Sequence, residues 1–121
     1  MKNYVLVLIM SALIVACAER SFDNGAEVTD VKAPQRIKLD IDQSRYTHTV
    51  RIKLTGNLDN SAEIKLIGEE GVDYTENLSA GVVDKAINRE WYSKTCFFEY
   101  LPHEVTSGTL TIQYEFKYAD D

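Results

Sequence analysis

From Gln35 onward the chain alternates apolar and polar residues with a period of two. Ile37, Leu39 and Ile41 alternate with Arg36, Lys38, Asp40 and Asp42. Tyr46, His48, Val50, Ile52 and Leu54 alternate with Thr47, Thr49, Arg51 and Lys53. Ala62, Ile64 and Leu66 alternate with Glu63 and Lys65, and Leu110, Ile112, Tyr114, Phe116 and Tyr118 with Thr111, Gln113, Glu115 and Lys117. Successive strand side chains point to opposite faces, so the pattern predicts strands with one face on a core and one in water. A helix would scatter the same apolar residues around its axis. The 46–54 and 62–66 strands are expected to form a hairpin with Lys53 opposite Glu63, and alternation fixes the register.

The middle of the chain is less regular. Val72–Leu78 and Arg89–Ser93 read as short strands, Ala80–Ile87 as a helical turn, and Thr95–Leu101 as a strand ended by Pro102. Turn signals fall at Gly56-Asn57, Asp59-Asn60, Glu70-Gly71, Ala80-Gly81 and Ser107-Gly108. Roughly seven short strands at this spacing predict an all-β fold, an antiparallel β-sandwich of immunoglobulin-like size, over residues 35–121.

Composition narrows the function. The chain has 121 residues, the size of one domain, and 45% of them are hydrophobic, too many for a disordered acidic chain. It carries 13 Lys and Arg against 19 Asp and Glu, a net charge of −6, where a nucleic-acid binder would show a basic face. Two cysteines make neither a disulfide scaffold nor a Cys-rich zinc site.

The first residues read as an address. Lys2 precedes an uncharged run, Tyr4 to Ala16, which is short for a transmembrane helix and fits the apolar core of a signal peptide. Its end, Ile14-Val15-Ala16-Cys17, resembles the lipobox of bacterial lipoproteins. Ile14 and Val15 stand where that family's commonest form has Leu and then Ala or Ser. The resemblance covers residues 1–17. It implies a signal peptide over 1–16, diacylglycerol on the Cys17 sulfur, and acylation of the new amino terminus, with several acyl chains for stable membrane anchoring. Ala18 after the cysteine, rather than Asp, implies the outer membrane of a Gram-negative envelope. Ala16-Cys17-Ala18 also fits ordinary signal cleavage, which would release a soluble secreted or periplasmic protein beginning at Glu19. Residues 17–34, with little apolar content and no period, read as the lipidated Cys and a flexible tether of very roughly 20–25 Å root-mean-square reach.

Each chemical candidate has a plain structural alternative. Cys96, if Cys17 is lipidated, has no intramolecular partner; it reads as a nucleophile or, more simply, as a small buried hydrophobe. His48, on the inward face by alternation, and His103, in a loop after Pro102, show no zinc spacing. Asp40 and Asp42 share a strand face and would do acid–base work only in a cleft. Residues 59–76 hold six acids against Lys65 alone. Glu69, Glu70, Asp73 and Glu76 around Gly71 do not follow a calcium-loop order. They read as a solvated loop or as a docking patch for a basic partner. Trp91-Tyr92 adds interface-type aromatics, and one of two adjacent strand residues must face outward. No metal, cofactor or catalytic site is expected.

The function these features favour is a lipid-anchored, non-enzymatic binding module of the cell envelope, with a protein partner. Small envelope lipoproteins, the class it resembles, include lysozyme inhibitors and immunity proteins. A structural accessory of an envelope assembly, held by sheet edges and exposed aromatics, is the alternative, and a small enzyme the third reading.

Overall fold

The computed structural model describes residues 22–120. The lipobox and Cys17 lie outside the described residues. Among those described there are eight strands. They are β1 (Asn24–Glu27), β2 (Gln35–Lys38), β3 (Thr47–Leu58), β4 (Ala62–Gly68), β5 (Gly71–Leu78), β6 (Gly81–Glu90), β7 (Phe97–Pro102) and β8 (Gly108–Tyr118).

They form two four-stranded sheets, ordered β1-β8-β3-β6 and β2-β7-β4-β5, antiparallel throughout. This is the β-sandwich the alternation predicts. Its strand order is that of an eight-stranded jelly roll, in which consecutive strands mostly cross between sheets. The expected hairpin of 46–54 with 62–66 is therefore not made. The short connection after β3 crosses to the other sheet, so β3 pairs with β6 and β8 while β4 pairs with β5 and β7. Lys53 meets Asp84 at 2.7 Å instead, and Glu63 lies beside Lys65 at 3.7 Å.

The core is the set of inward positions on both sheets. Val50, Ile52, Leu54, Leu110 and Ile112 from one sheet face Ile64, Leu66, Phe98 and Tyr100 from the other, all buried. Burial of such side chains stabilises by about 1.5–3 kcal/mol each. Three tyrosines tie loops to this core through their hydroxyls. Tyr100 donates to the Val31 carbonyl at 2.7 Å; Tyr114 and Tyr118 accept the amides of Asp40 and Asp42 at 3.0 and 2.9 Å.

Four sequence expectations shift. The stretch read as tether enters the fold: β1 pairs with β8, and Val28 and Val31 are buried. Residues 81–90 are one ten-residue strand rather than a helical turn, and Arg89 lies inside it. Register changes between Thr47 and Thr49 at a β-bulge. One extra residue reverses parity, so Thr47 is buried while His48 and Tyr46 are exposed, against the inward positions alternation gives them. Finally, β2 ends at Lys38, so Asp40 and Asp42 share no strand face; Asp42 caps a turn by accepting from the Ser44 amide at 3.0 Å and its hydroxyl at 2.6 Å.

At the other end of the sandwich Asp59 closes the β7–β8 connection. It accepts the amides of Thr106 and Ser107 at 2.9 and 3.2 Å, and the Thr106 hydroxyl. The Thr106 hydroxyl and these amides hold its carboxyl below the usual aspartate range. A depressed folded value means that this contribution is complete above the unfolded pKa, about 4, and is lost as pH falls through the folded one. Asp59→Asn should therefore flatten the acid limb of the Tm-versus-pH curve below about pH 4. An acid limb identical to the parent's would refute that role.

Candidate functional site

One end of the sandwich is concave. The β4–β5 turn carries Glu69 and Glu70, and the chain leaving β6 carries Trp91, Tyr92 and Ser93. Gly68 brings the two together: a Cβ there would come within 3.2 Å of the Trp91 ring and 3.1 Å of Ser93. Between them lies a cleft of about 580 Å³, lined by residues 68–73 and 90–93. Its charged lining is Glu69, Glu70, Asp73 and Glu90, with no basic side chain among the lining residues.

Sequence reasoning singled out six residues, and five meet here. Glu69, Glu70, Asp73, Trp91 and Tyr92 all line the cleft, although some twenty positions separate the two segments. Glu76 stands apart. It pairs with buried Ile64 and so points between the sheets, where the Tyr74 hydroxyl donates to Oε1 at 2.7 Å and Lys85 lies 3.8 Å away. That bond to Glu76 is the chief reason the Tyr74 pKa is raised. Glu90 was missed. Its signal was position, an acid next to Trp91 at a strand end.

The acids do different work. Glu69 Oε1 accepts from the Lys94 amide at 2.6 Å and the Ser93 hydroxyl at 3.2 Å, while the Glu69 amide donates to Ser93 Oγ at 2.9 Å. It clamps the 93–95 turn. Asp73 lies 3.9 Å from Arg89 Nε, and the Arg89 guanidinium sits 4.5 Å over the Tyr74 ring. Glu70 and Glu90 make no side-chain hydrogen bond or ion pair with the described residues, which leaves their carboxylates to solvent or a ligand.

The adjacent aromatics divide. Trp91 is buried, and its indole N–H donates to the Thr95 carbonyl at 3.0 Å. Tyr92 is 64% exposed and meets His48 edge-on at 5.6 Å between centroids. An exposed tyrosine beside unpaired carboxylates offers a cation both a ring face and a counter-charge.

Candidates for covalent or metal chemistry are dispersed. His48 bonds to Thr49 Oγ1 at 2.7 Å, while the His103 amide donates to the Ser61 carbonyl at 2.9 Å at the opposite end. Among the described residues no group of three or more His, Cys, Asp or Glu could hold a metal ion. Cys96 is fully buried; desolvation, with Asp73 second, pushes its thiol up to about 12. A thiol so held supplies little thiolate. In the folded Cys17→Ser chain, Cys96 should resist a thiol reagent at pH 8 and react only on unfolding. Rapid labelling of the native chain would contradict this burial.

No protein-family model and no curated protein matches the chain. Nine chains of solved structures do. One of these structures, described as "CBM4 structure and function", aligns with a TM-score of 0.42 at 12% identity, over 79% of this chain and 72% of its own. The chemistry of the cleft stands on this chain's own side chains.

Proposed function

We propose that this domain is a non-enzymatic binding module, held in the bacterial cell envelope by lipid on Cys17, whose cleft docks a basic segment of a protein partner. One observation carries the docking site: four carboxylates and an exposed tyrosine from two distant segments line a single concave end, no basic side chain is among its lining residues, and only Asp73 has a cation close by, Arg89 at 3.9 Å. Such a surface attracts cationic segments over distance and holds them by short-range pairing, with tyrosine as anchor. The anchor and its outer-membrane address rest on the lipobox resemblance.

The test is a titration of the domain with an oligolysine peptide, followed by NMR amide shifts, and a pull-down from the native envelope. Shifts are expected at 68–73 and 90–93. Shifts confined to any other surface, or none at millimolar peptide, would overturn the docking site. The accessory-subunit reading has one feature in its favour, the open edges of β5 and β6. Inward-pointing Glu76, Lys85 and Arg89 on these strands disfavour edge-to-edge pairing.

A further inference from the structure

The direction in which the chain enters the sandwich says where this cleft faces. β1 runs antiparallel to β8, with Asn24 opposite Tyr114 and Glu27 opposite Thr111. Followed backward, the chain therefore climbs toward the end where β8 finishes at Tyr118, β3 begins at Thr47 and β6 finishes at Glu90. Phe22 confirms the level: the Arg51 guanidinium lies 5.3 Å over its ring, and Arg51 pairs with Glu115 and Asn88. That is the end that carries Glu90, Tyr92 and the β4–β5 turn. β1 and β6 are the two edges of one sheet, so the entry point and the cleft are separated sideways by three strand spacings, about 14 Å.

Because residues 22–34 belong to the fold, little chain remains between Cys17 and Phe22. Five peptide steps span at most ~18 Å. We infer that the cleft lies on the membrane-proximal end of the sandwich, so that the module captures basic segments held at the lipid surface rather than partners approaching from the far side. This rests on the proposed anchor and docking site. The shortness of the leash matters energetically as well. A partner confined to the same surface meets the cleft at an effective concentration set by linker length, without any new contact. The acidic rim does not bind anionic headgroups, so the short leash alone sets the orientation and the cleft stays open to a cationic protein segment.

The test uses the acylated full chain, reconstituted in phosphatidylcholine vesicles with nitroxide-labelled headgroups. A fluorophore is placed on Tyr46→Cys, 74% exposed at the cleft end, or on Val82→Cys, 80% exposed near the other end. The two positions are roughly 35 Å apart along the sandwich. Quenching is expected to be several-fold stronger at position 46 than at 82. Equal quenching, or the reverse, with the acyl mass present on Cys17 overturns the orientation alone. Absence of the acyl mass removes the anchor and the inference with it, while oligolysine binding in solution still reports on the docking site. As a second readout, about 20 Gly/Ser residues inserted after Ala18 should weaken binding to acyl-anchored oligolysine on the same vesicles several-fold, with affinity for free oligolysine unchanged. Unchanged binding to both peptides also overturns the inference.

Discussion

Replacing Gly108 by alanine is expected to cost about 3 kcal/mol or more and to lower the Tm by roughly 10 °C or more. Gly56→Ala should do the same. The two residues lie diagonally across the β3–β8 ladder, two positions apart, where Gly56 pairs with Leu110 and Leu58 with Gly108. Both have positive φ, 155° at Gly56 and 136° at Gly108. A Cβ at Gly56 would overlap the Thr109 carbonyl oxygen, and one at Gly108 the Asn57 carbonyl oxygen. The atoms in the way are backbone, so no rotamer relieves the clash; the ladder itself would have to open. A domain of this size has only about 5–15 kcal/mol in hand. Gly25→Ala is the control, because its new Cβ would meet only the Ile112 carbonyl oxygen, at an ordinary 3.7 Å. Thermal unfolding of the three variants decides the matter. A Gly108→Ala protein as stable as Gly25→Ala would show that the two strands do not approach this closely.

The neighbouring aromatics should part company just as sharply. Trp91→Ala is expected to lose about 3–5 kcal/mol, since a buried indole and its bond to the Thr95 carbonyl both go. The cleft floor goes with it. Tyr92→Ala removes a ring that is 64% exposed, so stability should change by less than about 1 kcal/mol, the worth of its edge contact with His48. Its effect should appear in binding, where loss of a tyrosine anchor is worth about 2 kcal/mol, or roughly 30-fold in affinity. Denaturation curves and peptide titrations on the same two proteins separate the roles. A Tyr92→Ala variant with parental affinity would take Tyr92 out of the docking surface.

What the sequence revealed follows from which strands have one wet face and one dry one. β3, β4 and β8 are interior strands of their sheets, and Val50–Leu54, Ala62–Leu66 and Leu110–Phe116 keep strict alternation because an apolar residue must fill each inward position. β6 hid itself because it is an edge. Its inward positions are Val83, Lys85, Ile87 and Arg89, and two charges in that row erase the period. β1 was illegible because its inward residues are only Asn24 and Ala26. Parity misled at His48, where a bulge inserts one residue, and charge misled at Glu76, which shares the inward face with Leu78 as alternation along the strand requires. Within the site, the acids near Gly71 and the Trp91-Tyr92 pair were visible as separate features. Their meeting depends on the strand order, which places the β4–β5 turn beside the end of β6; neither local pattern encodes that.

The docking claim is tested most directly by affinity for an oligolysine peptide across a salt series, in the parent and in Glu70→Gln/Glu90→Gln. These two carboxylates carry no side-chain hydrogen bond or ion pair with the described residues, so neutralising them should spare the fold. The parent should bind more weakly as salt rises, and the double variant should bind several-fold more weakly at low salt with a flatter salt dependence. Identical affinity and identical salt slope in the two proteins would contradict the cleft as the seat of binding.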